Sequence, residues 1–202
     1  MLELTKKIHY HEDDYRNIEI VPNENLEEII NEFKKIQNFS EIKKSNNWNK
    51  YTDIYVKEEY KNKTATKKIR LDTIRKIITE NMTEFSEVTT GIKPQIYKCE
   101  KTIAFWLTKN IIIFVEYRKK TIVENIWLHI NVTNEIDKEN LIKTLSNLSK
   151  KYDLLIVDRN AFFIANLSNE KAINKYLEEK LKINKIAKNK VWTKKWYEFW
   201  KI

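Results

Sequence analysis

Apolar positions recur at helical spacing in four stretches of the chain. Between residues 25 and 36, Leu26, Ile29, Ile30, Phe33 and Ile36 share one side of a helix, with Asn25 placed to cap it and Glu28 three residues on. Leu71, Ile74, Ile77, Ile78 and Met82 predict a second helix over about 69–83. Leu141, Ile142, Leu145 and Leu148 predict a third over 137–151, with Asp137 as its cap. Ile173, Tyr176, Leu177 and Leu181 predict a fourth that starts near Ser168 and Asn169.

Other stretches alternate or run β-branched. Residues 4–11 and 15–21 read as two short strands around an Asp13-Asp14 turn, and Ile54 with Val56 suggests another strand between Trp48 and Tyr60. The densest signal is Ile103–Leu107, Ile111–Arg118 and Thr121–Val132, separated by short polar turns, which reads as an antiparallel meander. Its third strand puts Ile126, Leu128, Ile130 and Val132 on a core face and Asn125, Trp127, His129 and Asn131 on the other. Leu154–Val157 and Phe162–Leu167 add two strands across Asp158-Arg159-Asn160, a set of charges that reads as a turn. Sheet runs interspersed with about four helices predict an α+β fold with an antiparallel or mixed sheet. Residues 1–190 are expected to form its single domain, and 191–202 an aromatic and basic helical extension.

Composition narrows the chemistry. A chain of 202 residues can bury a core without disulfides, and its one cysteine, Cys99, has no internal partner. There is a single glycine, Gly91, whereas loops that cradle phosphates need several. Rossmann and P-loop sites are thereby excluded, and the missing GxSxG string excludes the α/β-hydrolase elbow. No long apolar run or leader-like segment is present, which predicts a cytoplasmic protein without a transmembrane segment. Net charge is +9, unevenly spread: residues 1–60 carry 9 basic and 13 acidic side chains, and residues 61–120 carry 14 and 6.

Three candidate sites follow. The string His9-Tyr-His-Glu-Asp-Asp14 nearly matches the HxHxDH opening of two-metal hydrolases, and His9, His11, Asp13 and His129 would be its donor set. Asp14 stands where the last histidine belongs and only one further histidine exists, so no metal or other cofactor is expected. Glu12, Asp13 and Asp14 instead suit a face for a basic partner, with Trp127 and His129 as further contacts from the meander's second face. The alternative is nucleic acid. Lys67, Lys68 and Arg70 lie in a basic run, and Lys194, Lys195, Trp196 and Trp200 cluster on the C-terminal helix, where aromatic rings among lysines suit the stacking of unpaired bases.

Several short strings together resemble immunity proteins of bacterial polymorphic toxin and contact-dependent growth inhibition systems. They are Glu12-Asp-Asp-Tyr-Arg-Asn-Ile-Glu19 with Pro22-Asn-Glu-Asn-Leu26, Val88-Thr-Thr-Gly91, Thr102-Ile-Ala-Phe105, Leu154-Leu-Ile-Val-Asp158, Leu167-Ser168 and Tyr176-Leu177. Ile92-Lys93-Pro94 and Trp106 depart from that pattern. The resemblance implies a non-enzymatic cytoplasmic protein that binds a cognate toxin domain and blocks it.

Overall fold

The computed structural model describes residues 7–45, 59–119 and 121–189. The strands are β1 (Lys7–His9), β2 (Ile18–Pro22), β3 (Thr83–Phe85), β4 (Glu87–Ile92), β5 (Gln95–Lys98), β6 (Thr102–Thr108), β7 (Ile111–Arg118), β8 (Ile122–Ile130), β9 (Leu154–Asp158) and β10 (Phe163–Asn166). Seven of them form one antiparallel sheet in the order β10-β9-β2-β8-β7-β6-β3. A second sheet has three strands, with β1 parallel to β4 and β5 antiparallel to it. Four helices complete an α+β domain: α1 (Leu26–Ser45), α2 (Leu71–Ile78), α3 (Glu135–Ser149) and α4 (Glu170–Asn189). Among the described residues no helix is long and apolar enough to cross a membrane.

Both faces of the large sheet are covered, by different means. Because side chains alternate across a strand, Ile18, Ile20, Ile111, Ile113, Ile126, Leu128 and Ile156 share one face. They pack with Ile74 and Ile78 of α2, Leu141 and Leu145 of α3, and Ile173 and Leu177 of α4. The other face can be followed strand by strand from the register. One row crosses the whole sheet as Ile164, Val157, Glu19, Trp127, Phe114, Ala104 and Phe85. The small sheet covers the Trp127–Ala104 half through Ile8 and Val88. Helix α1 and Tyr60 cover the Val157 half, the helix through Ile29 and Phe33.

The meander and the four helices lie where periodicity puts them, with four local differences. Residues flanking Asp13-Asp14 do not form a hairpin, because β1 pairs with β4 and β2 with β8 and β9. Asn25 does not act on α1; its side chain is buried and bonds the backbone of Asn62 in both directions, at 2.8 and 3.2 Å. The cap of α3 is Asn134, whose Oδ1 accepts from the Asp137 amide at 2.9 Å, so Asp137 lies inside the helix. Strands β3, β4 and β5 carry no strand expectation, and the helix expected over about 69–83 ends at Ile78, leaving Thr83 to open β3. The strand expected between Trp48 and Tyr60 lies, apart from Glu59 and Tyr60, outside the described residues, as does the 191–202 extension.

Candidate protein-binding site

The acidic string forms one 3-10 turn, Glu12–Asp14, shortly after β1. Its geometry is fixed from several sides. The Tyr10 amide donates to the Thr89 carbonyl at 3.0 Å and the Thr90 hydroxyl to the Tyr10 carbonyl at 3.1 Å, which extends the β1–β4 register up to the turn. The Asp14 amide donates to the His11 carbonyl at 2.9 Å and the Tyr15 amide to the Glu12 carbonyl at 3.0 Å. The Asn17 side chain donates to the Asp13 carbonyl. Glu12 and Asp13 are exposed and Asp14 half-exposed.

Beneath the turn lies an aromatic stack. Trp127 is fully buried, with Phe114 stacked on it at a centroid distance of 3.9 Å. Tyr10 and Tyr15, one on each side of the turn, meet Trp127 edge-on at 4.8 and 5.4 Å. Aromatic pairs of this geometry each contribute roughly 0.5–1.5 kcal/mol beyond area burial, so the turn stands on a stiff base. Burial first, then the Cys99 contact, pushes the Tyr10 hydroxyl up. Burial, then the charge of Glu116, pushes Tyr15 up to about 12.

Of the expected contact residues, the structure brings all five to one place but gives them different parts. Asp14 Oδ2 lies 3.8 Å from Nδ1 of His129, which is partly exposed, so Glu12, Asp13, Asp14 and His129 share one surface. Trp127 is corrected: the second face of the meander is not solvent but the interior under the small sheet, and Trp127 supports the surface without being part of it. Alternation assigned its face and could not reveal a second covering layer.

The histidines of the HxHxDH near-match have other neighbours. His9 Nδ1 lies 3.2 Å from the Thr89 hydroxyl, and His11 Nδ1 lies 3.3 Å from both the Asp13 amide and its carboxylate. Among the described residues no three His, Cys, Asp or Glu side chains converge as a metal site. The basic run is interleaved with carboxylates: Lys67 pairs with Glu24, Arg70 lies 3.8 Å from Asp72, and Arg75 is bonded to Glu84 at 3.0 Å, while Lys68 is exposed. This weakens a phosphate-tracking groove there, because each pair must open before a phosphate is neutralised. Lys194, Lys195, Trp196 and Trp200 lie outside the described residues.

A second polar cluster holds the turn's neighbour in place. Glu19, 1% exposed in the middle of the apolar row, accepts from Arg159 Nη1 at 2.6 Å and pairs with Arg16. Arg159 also pairs with Glu32 at 3.5 Å and donates to the Tyr60 hydroxyl, which itself donates to Glu32 at 3.1 Å. Burial alone would lower the Arg159 pKa, and Glu19, Tyr60 and Glu32 more than offset it, holding the guanidinium charged. On the opposite face Asp158 accepts from the Tyr176 hydroxyl at 2.6 Å and Lys180 at 2.8 Å, and from the Asn160 and Ala161 amides. Asp158 and Arg159 are therefore internal fasteners, where the sequence reads as a plain turn. The sequence signal was Glu19 itself, an acid inside the apolar run Ile18-Glu-Ile-Val21. The acidic groove lined by Glu24, Glu28, Glu32 and Tyr60 shares Glu32 and Tyr60 with this cluster, while Glu24 pairs with Lys67 and Glu28 accepts from the Lys61 amide at 3.3 Å.

Comparison of the chain with models of known protein families, with curated proteins and with solved structures finds no match.

Proposed function

We propose that this chain is a non-enzymatic binding protein of the immunity class, which neutralises a cognate bacterial toxin domain in the cytoplasm by docking against it. The observation that carries this reading is the Glu12–Asp14 turn, exposed yet held through its backbone by hydrogen bonds over the Trp127 stack, with His129 beside it. A charged surface that is already ordered loses little freedom on binding, and carboxylates at an interface rim speed encounter with a basic partner. The resemblance of the Glu12–Glu19 string to immunity proteins points the same way.

The test is to read the neighbouring gene, where this function expects a large secreted-toxin frame immediately upstream, and to co-express the C-terminal domain of that frame with this chain. Expected are protection of the host cell and a stable complex that co-purifies. Glu12→Lys, Asp13→Lys and Asp14→Lys together should abolish protection and slow association, most strongly at low salt, while the melting temperature holds. Absence of both protection and co-purification sinks the reading. Tight, steeply salt-dependent binding to single-stranded RNA would replace it with the nucleic-acid reading.

A further inference from the structure

The β4–β5 ribbon carries a feature that the acidic turn does not use. All four residues of β5 are exposed, and β5 ends its sheet with no strand beyond it among the described residues. Three large apolar side chains project there: Ile92 is 64% exposed, Ile96 44% and Tyr97 56%. Edge strands are ordinarily blunted by shortness, charge or proline, because their open backbone groups invite pairing. Here the edge is short, follows Pro94 and ends on Lys98, yet it presents an isoleucine and a tyrosine.

The backbone adds direction. The Cys99 amide donates to the Val88 carbonyl at 2.9 Å, which makes that opposed pair a hydrogen-bonded one. In an antiparallel ladder bonded and non-bonded pairs alternate. Counting back along the register, Tyr97 bonds inward to Thr90, while Ile96 opposite Gly91 and Lys98 opposite Thr89 turn their N–H and C=O outward. The free edge thus offers two sets of donor and acceptor in strand geometry. Side chains follow the same alternation: Ile92 and Tyr97 flank one face of an added strand, and Ile96 and Lys98 the other.

We propose that β5 is a strand-addition edge that takes an extended segment of a partner protein bearing alternate apolar residues and carboxylates. Charge selects that occupant. Lys93 and Lys98 bracket the edge, neither with an ion pair to a described residue, and a second copy would bring four lysines together. A partner strand with acidic positions meets the lysines, completes the ladder and covers Ile96 and Tyr97. Occupancy of this edge does not depend on the toxin reading.

The experiment uses the full chain, labelled with nitrogen-15, and two short synthetic peptides with the same alternating valines and isoleucines, one carrying glutamates between them and the other lysines. The glutamate peptide should shift the Ile96 and Lys98 amide resonances and bind about tenfold more tightly than the lysine peptide, a difference of about 1.4 kcal/mol. Ile96→Pro, which removes an outward donor and leaves the Tyr97 and Gln95 bonds to β4, should abolish binding. If that variant unfolds, Lys93→Glu with Lys98→Glu should invert the peptide preference. No shift at 95–98, equal affinity for both peptides, or a preference unchanged in the charge-reversed variant overturns the proposal. So does a dimer of the chain alone that Ile96→Pro dissolves, since that would make a second copy the occupant. None of these outcomes bears on toxin protection.

Discussion

Replacing Arg159 by methionine should be among the most damaging single changes outside the apolar core. The Arg159 side chain is 14% exposed and its guanidinium faces Glu19 and Glu32, whose side chains are 2% and 9% exposed. Removing one member of a buried pair leaves the other charge without compensation in a poorly solvated place, at a cost of about 3–5 kcal/mol. Arg16 still reaches Glu19, which argues for the lower end, about 3 kcal/mol. In a chain of this size that is a fall of about 6–12 °C in melting temperature. Urea unfolding followed by tryptophan fluorescence measures the loss as a lower midpoint at unchanged slope. Two controls separate charge from packing. In the background of Glu19→Gln the same Arg159→Met change should cost at least about 1 kcal/mol less, because no buried anion is then stranded at that position. For the same reason the deficit should shrink in acid, as protonation neutralises the stranded carboxylate. A loss below about 1 kcal/mol, or strict additivity of the two changes, would show that packing and not the ion pair holds this junction.

Gly91→Ala should destabilise by about 2–4 kcal/mol, since φ is +104° there and an added Cβ would lie 2.3 Å from the Gln95 carbonyl oxygen. Its thermal midpoint should fall, and D-alanine at that position in a semisynthetic chain should recover most of the loss; an unchanged midpoint for the L-alanine variant would refute the reasoning. At alkaline pH, Tyr15 should contribute a measurable loss. Its folded pKa of about 12 lies above the unfolded value, so its contribution is intact below about pH 10 and is lost as pH rises toward 12. Tyr15→Phe should flatten the stability curve in that window, and an unchanged curve would refute the assignment.

What the sequence discloses here is faces, and what it conceals is partners. Ile126, Leu128, Ile130 and Val132 fall in the helix-covered core as alternation predicts. The same alternation puts Trp127 on the opposite face correctly, yet burial there depends on β1 and β4, which arrive from far away in sequence. Ile8 pairs with Val88 across 80 positions, and Ile20 with Ile156 across 136. No local pattern encodes such pairings, which is why residues 4–21 read as a hairpin. Strand β5 was invisible for another reason: with all four residues exposed it has no buried face to create alternation. The acidic turn was legible because its exposure is decided locally, by three adjacent carboxylates. Its aromatic base was not, because Tyr10, Tyr15, Phe114 and Trp127 meet only in the folded chain.

The Glu19 cluster and the acidic turn are mechanically linked, and the link can be tested at Arg16. Arg16 follows Tyr15 directly, has a positive φ of 56°, and reaches from the end of the turn to pair with Glu19. One buried carboxylate therefore ties down two coverings of the same sheet face, the turn through Arg16 and helix α1 through Arg159, Glu32 and Tyr60. Arg16→Gly relieves the unfavourable backbone conformation and removes the tie. If backbone strain governed the turn, this variant would hold Glu12–Asp14 more firmly. If the ion pair governs it, the amides of Asp14 and Tyr15, bonded to His11 and Glu12, should exchange with deuterium about tenfold faster, the effect of losing about 1.4 kcal/mol of local stability. Partner affinity should fall with them although no contact residue has changed. Unaltered protection of those two amides would place the control of the surface in the aromatic stack alone.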